Sequence, residues 1–280
     1  MGVKIVVSIG APRSGTTWAF NTTKSLFQEQ NISHTSLFTN QEEINEAISH
    51  INENPPDFLF IKTHKVRTLK VISSFLPGLI FPNLIISVRD PLQTILSQLR
   101  IARGKNALKS YTRVNKKLTN MYKYICRFDE TIEDLSRKSS IVLINESEIK
   151  DPGKCNEKIQ QISNLLFGTD ISDIKIDSIR NANSLEQVQN FIDKNFSPEE
   201  KLSFDKYDKS THYHANHIKT EDYFINKELL DQESLEKVEK ANDDFISKYK
   251  DKFCNYLPTE VSPQVAVEIL REIESTIITN

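Results

Sequence analysis

Cysteine is scarce in this chain: Cys126, Cys155 and Cys254 are the only three, far apart and odd in number. That excludes a disulfide framework and a cysteine-rich metal site, and a reducing compartment is the expectation. An excess of charge is also missing, with 36 Lys+Arg against 38 Asp+Glu and a formal net charge of −2. Nothing then draws the whole molecule to nucleic acid or to an anionic membrane, so any anion site must be local. No apolar run approaches the ~20 residues of a membrane span. The run at Val3 to Ile9 flows straight into a Gly/Pro/Ser/Thr turn, unlike a signal peptide, which favours a cytoplasmic location. Repeats, low-complexity tracts and recognisable dimerisation motifs are absent too. What is present, 280 residues with 38% hydrophobic and 26% charged, is the profile of a globular domain spanning 1–280.

Val3 to Ile9 is a short β-branched run bounded by Gly10, the pattern of a strand buried on both faces. Residues 58–61, 84–88 and 141–144 repeat it. Helical stretches at 16–30, 41–53, 66–75, 91–102 and 114–138 alternate with them, as a βαβ architecture requires. Beyond the last strand, Asp151-Pro152 opens a helix running to about Phe167, and Ser197-Pro198-Glu199-Glu200 forms a capping box. Helices are expected over 226–256 and 262–278, the latter with a stripe at Val265, Ile269, Ile273 and Ile277 that fits packing on the core. The predicted fold is a three-layer α/β domain of the P-loop type with a central parallel sheet: a βαβ core over 1–168 and a mainly helical extension over 169–280 packed on it.

Gly10-Ala11-Pro12-Arg13-Ser14-Gly15-Thr16-Thr17 lies between the first strand and its helix, in the frame of a loop whose N–H groups wrap an anion at a helix N-terminus. A triphosphate loop needs Lys directly after the second glycine; here Thr16 stands there and the positive charge is Arg13, inside the loop. A phosphate-like group without the triphosphate–Mg²⁺ apparatus is the expected ligand. A bare Gly/Pro turn is the alternative, although it has no need of Arg, Ser and two Thr together. Trp18, the single tryptophan, follows at once, suited to stack on a base or to pack in the core.

Pro12 to Trp18 resembles the 5′-phosphosulfate loop of the sulfotransferases, whose donor is 3′-phosphoadenosine-5′-phosphosulfate (PAPS). Phe60-Ile61-Lys62-Thr63-His64 is similar to the family's Lys-Thr-His segment, and Val88-Arg89-Asp90-Pro91 with Ser97, eight positions after Arg89, to its 3′-phosphate motif. Asn145 to Phe167 resembles the strand, acidic turn and helix that follow. The resemblance covers 3–30, 58–100 and 141–168, roughly a third of the chain. It implies sulfuryl transfer from PAPS, with adenosine 3′,5′-bisphosphate (PAP) as product, to a hydroxyl or less readily an amine on a small-molecule, lipid or carbohydrate acceptor, with no metal and no nucleic acid. His64 would be the base. Lys62 and Arg13 would stabilise charge on the sulfuryl and bridging oxygens, Ser14, Gly15, Thr16 and Thr17 would hold the 5′-phosphate, Trp18 would stack on adenine, and Arg89 with Ser97 would grip the 3′-phosphate.

Taken on their own, Lys62, Thr63 and His64 fall just past a buried strand, on the edge where the loop opens. A lone histidine is more often structural, but a cation two positions back favours chemistry, and an imidazole pKa near 6.5 suits proton transfer at neutral pH. If His64 is not the base, a carboxylate in the 41–46 region is the substitute. Asp90 and Pro91 also fit a plain helix cap, so Arg89 is the discriminating residue. Seven positive charges between Arg100 and Lys117 read as a solvated face or as a cover for the nucleotide.

Two departures stand out. No glycine follows Gly168, so the family's Gly-containing C-terminal 3′-phosphate motif is missing, with His214 to Lys219 as the nearest stand-in. Arg13 replaces the lysine of cytosolic members, which removes a proton donor to the leaving group. Residues 31–56, 103–115 and 205–225 are the expected acceptor determinants. Two other classes compete: an ATP-dependent small-molecule kinase with Thr17 and Asp90 on Mg²⁺, and a non-catalytic nucleotide-binding protein.

Overall fold

The structure is a computed structural model that describes residues 2–76, 82–103, 111–136, 139–202, 206–214, 225–251 and 258–278. Five strands, β1 (Val3–Gly10), β2 (His34–Phe38), β3 (Phe58–Thr63), β4 (Asn83–Val88) and β5 (Ile141–Asn145), form a parallel sheet in the order β2-β3-β1-β4-β5. The chain moves out from β1 to β2 and returns to β3, then crosses β1 to add β4 and β5. The carboxyl end of β1 is therefore flanked by those of β3 and β4, the crevice where open α/β sheets take their ligands. The register fixes that edge: Ile9 lies beside Thr63, and Gly10 beside Ser87.

Strand residues alternate faces with period two, and each face meets its own helices. Ile5, Val7, Ile9, Leu59, Ile61, Leu84 and Ile86 pack with α2 (Gln41–Glu53), α3 (Val66–Ser74), α4 (Pro91–Arg103), α5 (Tyr111–Ser136), α10 (Gln232–Tyr249) and α11 (Pro263–Ile278). Val6, Phe58, Phe60, Ile85, Val142 and Ile144 pack with α1 (Thr16–Glu29), α7 (Pro152–Phe167) and α8 (Asp173–Ala182). The sheet is thus the middle of three layers, as expected. The same alternation sends Lys62, two and four residues beyond Phe60 and Phe58, to the α1 face.

The caps follow the sequence. Gln93 N–H donates to Asp90 Oδ1 at 2.7 Å, with Pro91 opening α4, and Lys154 N–H donates to Asp151 Oδ1 at 3.1 Å, with Pro152 opening α7. Ser197 and Glu200 exchange the two capping-box bonds, at 2.9 and 3.2 Å. The stripe on α11 is core, with Ile269 and Ile273 fully buried.

Several elements differ from the expectation. β2 reads His-Thr-Ser-Leu-Phe, an edge strand with only Thr35 and Leu37 buried, too polar to register as a buried run. The strand predicted at 58–61 continues through Lys62 and Thr63, because Thr63 still pairs with Ile9. The helix predicted at 226–256 starts at Gln232, where Asp231 accepts from Ser234 N–H at 3.2 Å, and ends at Tyr249. α6 (Glu146–Ile149), α8, α9 (Leu185–Asn195) and β6 (Glu260–Val261) were not foreseen. β6 runs antiparallel to β1 at Val3 and Lys4, before β4 begins to pair at Val6.

Candidate functional site

Between β1 and α1 the loop is shaped by contact and by backbone strain. A Cβ on Gly10 would lie 2.3 Å from Ser87 O and 2.6 Å from Ser14 Oγ, so glycine is required for close approach. Gly15, the N-cap of α1, has φ 98°, and Arg13 has φ 78°, which is unfavourable for a residue with a Cβ. Helix α4 braces that conformation: Arg13 Nε donates to Ser97 Oγ at 3.0 Å, Gln98 Nε2 to Pro12 O at 3.0 Å, and an Arg89 NH donates to Arg13 O at 3.5 Å. The glycine cap supplies no side-chain hydrogen bond to the first turn of α1 among the described residues, and such a helix N-terminus suits an anion. Ser14 is buried, and its hydroxyl has no hydrogen-bond partner.

Lys62, the penultimate residue of β3, lies directly beside this loop. It is 4% exposed, its ammonium donates to Thr17 Oγ1 at 3.0 Å, and it lies 5.5 Å from the Phe20 ring centre and 5.8 Å from that of Phe38. Burial, with Arg13 adding to it and the Glu43 charge opposing, pulls its pKa from 10.5 to about 7. His64 follows: its Nδ1 is 2.8 Å from Gly10 O. A carbonyl only accepts, so Nδ1 carries the proton and Nε2 keeps its lone pair. Burial and then the Lys62 charge lower the imidazole pKa to about 4, so the ring is neutral at pH 7.

Of the residues singled out from sequence, Arg13, Ser14, Gly15, Thr16, Thr17, Lys62, His64, Arg89 and Ser97 converge on one crevice. Arg89 also faces Glu146, Nε to Oε2 at 3.8 Å. Ser97 is buried and already accepts from Arg13, so it supports the loop directly. Trp18 is half-buried against the α1–α7–α8 cluster. Asp90 caps α4. Of the basic run, Arg113 and Lys116 are exposed on α5, while Lys105 and Lys109 lie outside the described residues, as do His217, Lys219, Tyr223 and Phe224.

Sequence reasoning missed a second shell of polar groups over Lys62. Glu43 Oε2 accepts from Phe38 N–H at 2.7 Å and faces His212 Nε2 at 3.1 Å, while Oε1 accepts from Asn40 Nδ2 at 2.8 Å and Tyr207 OH at 3.2 Å. Burial raises its pKa, but these donors, led by His212, outweigh burial and leave it below the ordinary value. A carboxylate with four donors is a poor base, which argues against Glu43 as the base, while Glu42 and Glu46 in the same region are exposed and face Lys209. His212 stacks on Phe20 at 4.3 Å. The 207–214 turn carrying these groups is pinned to α1, with Asn21 Nδ2 donating to Thr211 O at 2.7 Å and Lys24 donating to Ser210 O. His214 sits in the same electrostatic neighbourhood, and burial followed by the charges of Lys62 and Arg13 lowers its pKa to about 4. In sequence, Glu43 looks like any acid in a first helical turn, and the signal in Tyr207 to His214 is only its two histidines.

No protein-family model matches the chain, and no curated protein matches it. Among solved structures it is similar to retinol dehydratase in complex with androsterone and the inactive cofactor PAP, at 16% identity and TM-score 0.48, over 90% of this chain and 83% of that one. It is also similar to retinol dehydratase in a complex with retinol and PAP, at 16% identity and TM-score 0.45, over 88% and 82%. Among the described residues, no group of three or more His, Cys, Asp or Glu could hold a metal ion, and no helix is long and apolar enough to cross a membrane.

Proposed function

We propose that the protein is a sulfotransferase that moves a sulfuryl group from PAPS to a hydroxyl acceptor. The observation that carries this reading is Lys62: a buried ammonium whose described hydrogen bond is to Thr17 alone, beside an anion-binding loop and two residues from a histidine with a free Nε2. A buried cation is costly unless an anion or several acceptors meet it, and a phosphosulfate supplies both. The unpartnered Ser14 hydroxyl and Arg89 Nε fit the same ligand.

In this reading the N–H groups at the start of α1, with the Thr16 and Thr17 hydroxyls, hold the 5′-phosphate. Trp18 lies against adenine, and Arg89 meets the 3′-phosphate, while Ser97 holds Arg13 in place in the loop. His64 Nε2 takes the acceptor's proton as the acceptor oxygen bonds to sulfur and the bond from sulfur to the phosphate oxygen breaks. Lys62 and Arg13 stabilise the charge that develops on the sulfuryl and bridging oxygens, and PAP leaves. No metal ion is needed for that sequence.

The kinase alternative needs Thr17 and Asp90 on magnesium, and it is disfavoured because Thr17 Oγ1 accepts from Lys62 and Asp90 Oδ1 caps α4. Calorimetric titration with PAP, and with ATP with and without Mg²⁺, tests the proposal. Metal-independent PAP binding weakened by Arg89→Ala, followed by sulfuryl transfer from labelled PAPS in an acceptor screen, is expected. Silence toward PAP with Mg²⁺-dependent ATP binding would overturn it, and PAP binding without turnover on any acceptor would favour a non-catalytic nucleotide-binding protein.

A further inference from the structure

Arg89 leaves the end of β4 beside the anion loop, and its guanidinium is poorly satisfied. Among the described residues it makes one long hydrogen bond, to Arg13 O at 3.5 Å, and its buried Nε has no hydrogen-bond partner. Among the described residues its ion-pair partner is Glu146, at the start of α6, whose Oε2 is 3.8 Å from that Nε. That distance is an ion pair without a hydrogen bond. Glu146 has a second host: Lys150, one helical turn on, lies 3.3 Å from its other oxygen and is 62% exposed. The Glu146 side chain also leaves its backbone beside the loop, since a Cβ on Gly15 would lie 4.0 Å from Glu146 Cβ. A carboxylate beside an anion site opposes any ligand anion there, and it does so most for the group that needs Arg89.

We propose that Glu146 is a displaceable counter-ion that competes with the nucleotide's 3′-phosphate for Arg89, and so sets how tightly the nucleotide is held and how readily spent nucleotide leaves. The proposal rests on the PAPS reading above and adds a residue to it. A phosphate forms two short, parallel, charge-assisted bonds with a guanidinium, so it displaces a carboxylate held at ion-pair distance. Lys150 then retains the displaced carboxylate. When the nucleotide departs, Glu146 returns, and the largely buried Arg89 is not left without a counter-charge. A nucleotide with a 3′-hydroxyl has no call on Arg89, so its binding is much less sensitive to Glu146.

The test compares PAP with adenosine 5′-monophosphate on the full chain by stopped-flow and calorimetry. Glu146→Gln is expected to bind PAP about tenfold more tightly, with the gain in the dissociation rate, and to leave the monophosphate within about twofold. Lys150→Ala is expected to weaken PAP about threefold when Glu146 is present and to have no effect after Glu146→Gln. The α6 capping box uses Asn145 and Glu148, so both variants keep the fold, which a melting curve checks. Unchanged or weaker PAP binding by Glu146→Gln, an equal shift for both nucleotides, or an equal effect of Lys150→Ala in the two backgrounds overturns the competition. Absence of PAP binding to every variant overturns the PAPS reading along with it, whereas PAP binding lost in Arg89→Ala but unaffected at Glu146 overturns this inference alone.

Discussion

Lys62 Nζ donates to Thr17 Oγ1 across 3.0 Å, and that bond joins the end of β3 to the first turn of α1. It fixes the ammonium beside the β1–α1 loop while burial holds its pKa near 7. An arriving anion favours the charged form and raises that pKa, so at pH 8 the protein takes up a proton as PAP binds, approaching about one per site. Calorimetry in buffers of different ionisation enthalpy reads this uptake directly. Lys62→Met is expected to abolish it and to lower turnover by roughly 100-fold or more, and uptake that survives the substitution would assign the proton elsewhere.

His64 is committed at Nδ1 to Gly10 O, and in the proposed reaction Nε2 takes the acceptor's proton. His64→Asn is expected to lower kcat by about 10²- to 10⁴-fold with little change in PAP affinity. Donor binding brings negative charge to offset Lys62 and Arg13, two of the causes that depress the imidazole, so its pKa is expected to rise above about 4 in the complex. Imidazole NMR titration with and without PAP checks the direction. A pKa that stays or falls would show that the ligand does not sit beside the ring.

Gly10 and Gly153 make a matched pair for testing the loop. A Cβ on Gly10 meets the backbone oxygen of Ser87, and Gly10 pairs with Ser87 in the sheet, so relief requires the strands to separate. Gly10→Ala is expected to cost about 1–3 kcal/mol and to lower Tm by several degrees. The nearest atom to a Cβ on Gly153, in the first turn of α7, is a carboxylate oxygen at 3.4 Å, ordinary contact. Gly153→Ala is expected to be neutral or stabilising by up to about 1 kcal/mol. Thermal melts of the two variants decide the matter.

The sheet and the β1–α1 loop were legible because their signals are local. Val3 to Ile9 can only be a buried strand, and the loop that follows announces itself by glycines that must approach a backbone or adopt positive φ. Asp90-Pro91 and Asp151-Pro152 marked helix starts for the same reason. β2 was not legible, because an edge strand buries one face and tolerates His34 and Ser36. Nor was the shell around Glu43, whose partners Tyr207 and His212 lie 164 and 169 positions away. No short-range pattern encodes a contact of that separation; it follows from how the 207–214 turn folds back over α1 and α2.

That shell makes a prediction of its own about stability. Removing the carboxylate with Glu43→Ala strands the buried His212 and the partly buried Phe38 N–H, Asn40 and Tyr207, at a cost of about 2–4 kcal/mol. Glu43→Gln keeps one acceptor, and His212 can move its proton to Nδ1, which lacks a partner, and accept at Nε2 instead, so the loss is expected to be smaller. Acid acts on the same cluster. His64 and His214 have folded pKa values of about 4 against 6.5, and burial lowers that of His212 as well, so between pH 6.5 and 4 the unfolded chain binds more protons than the folded one. Stability therefore falls as pH drops through that window. The lowered Glu43 pKa adds a contribution that is present above the ordinary glutamate value and lost as pH falls through the folded one. Melting temperatures taken from pH 8 to pH 4 should decline most steeply below about 6.5, and combined His64→Gln and His214→Gln substitution should flatten the decline; an unchanged slope would mean that these rings are solvated and protonate freely in the folded protein.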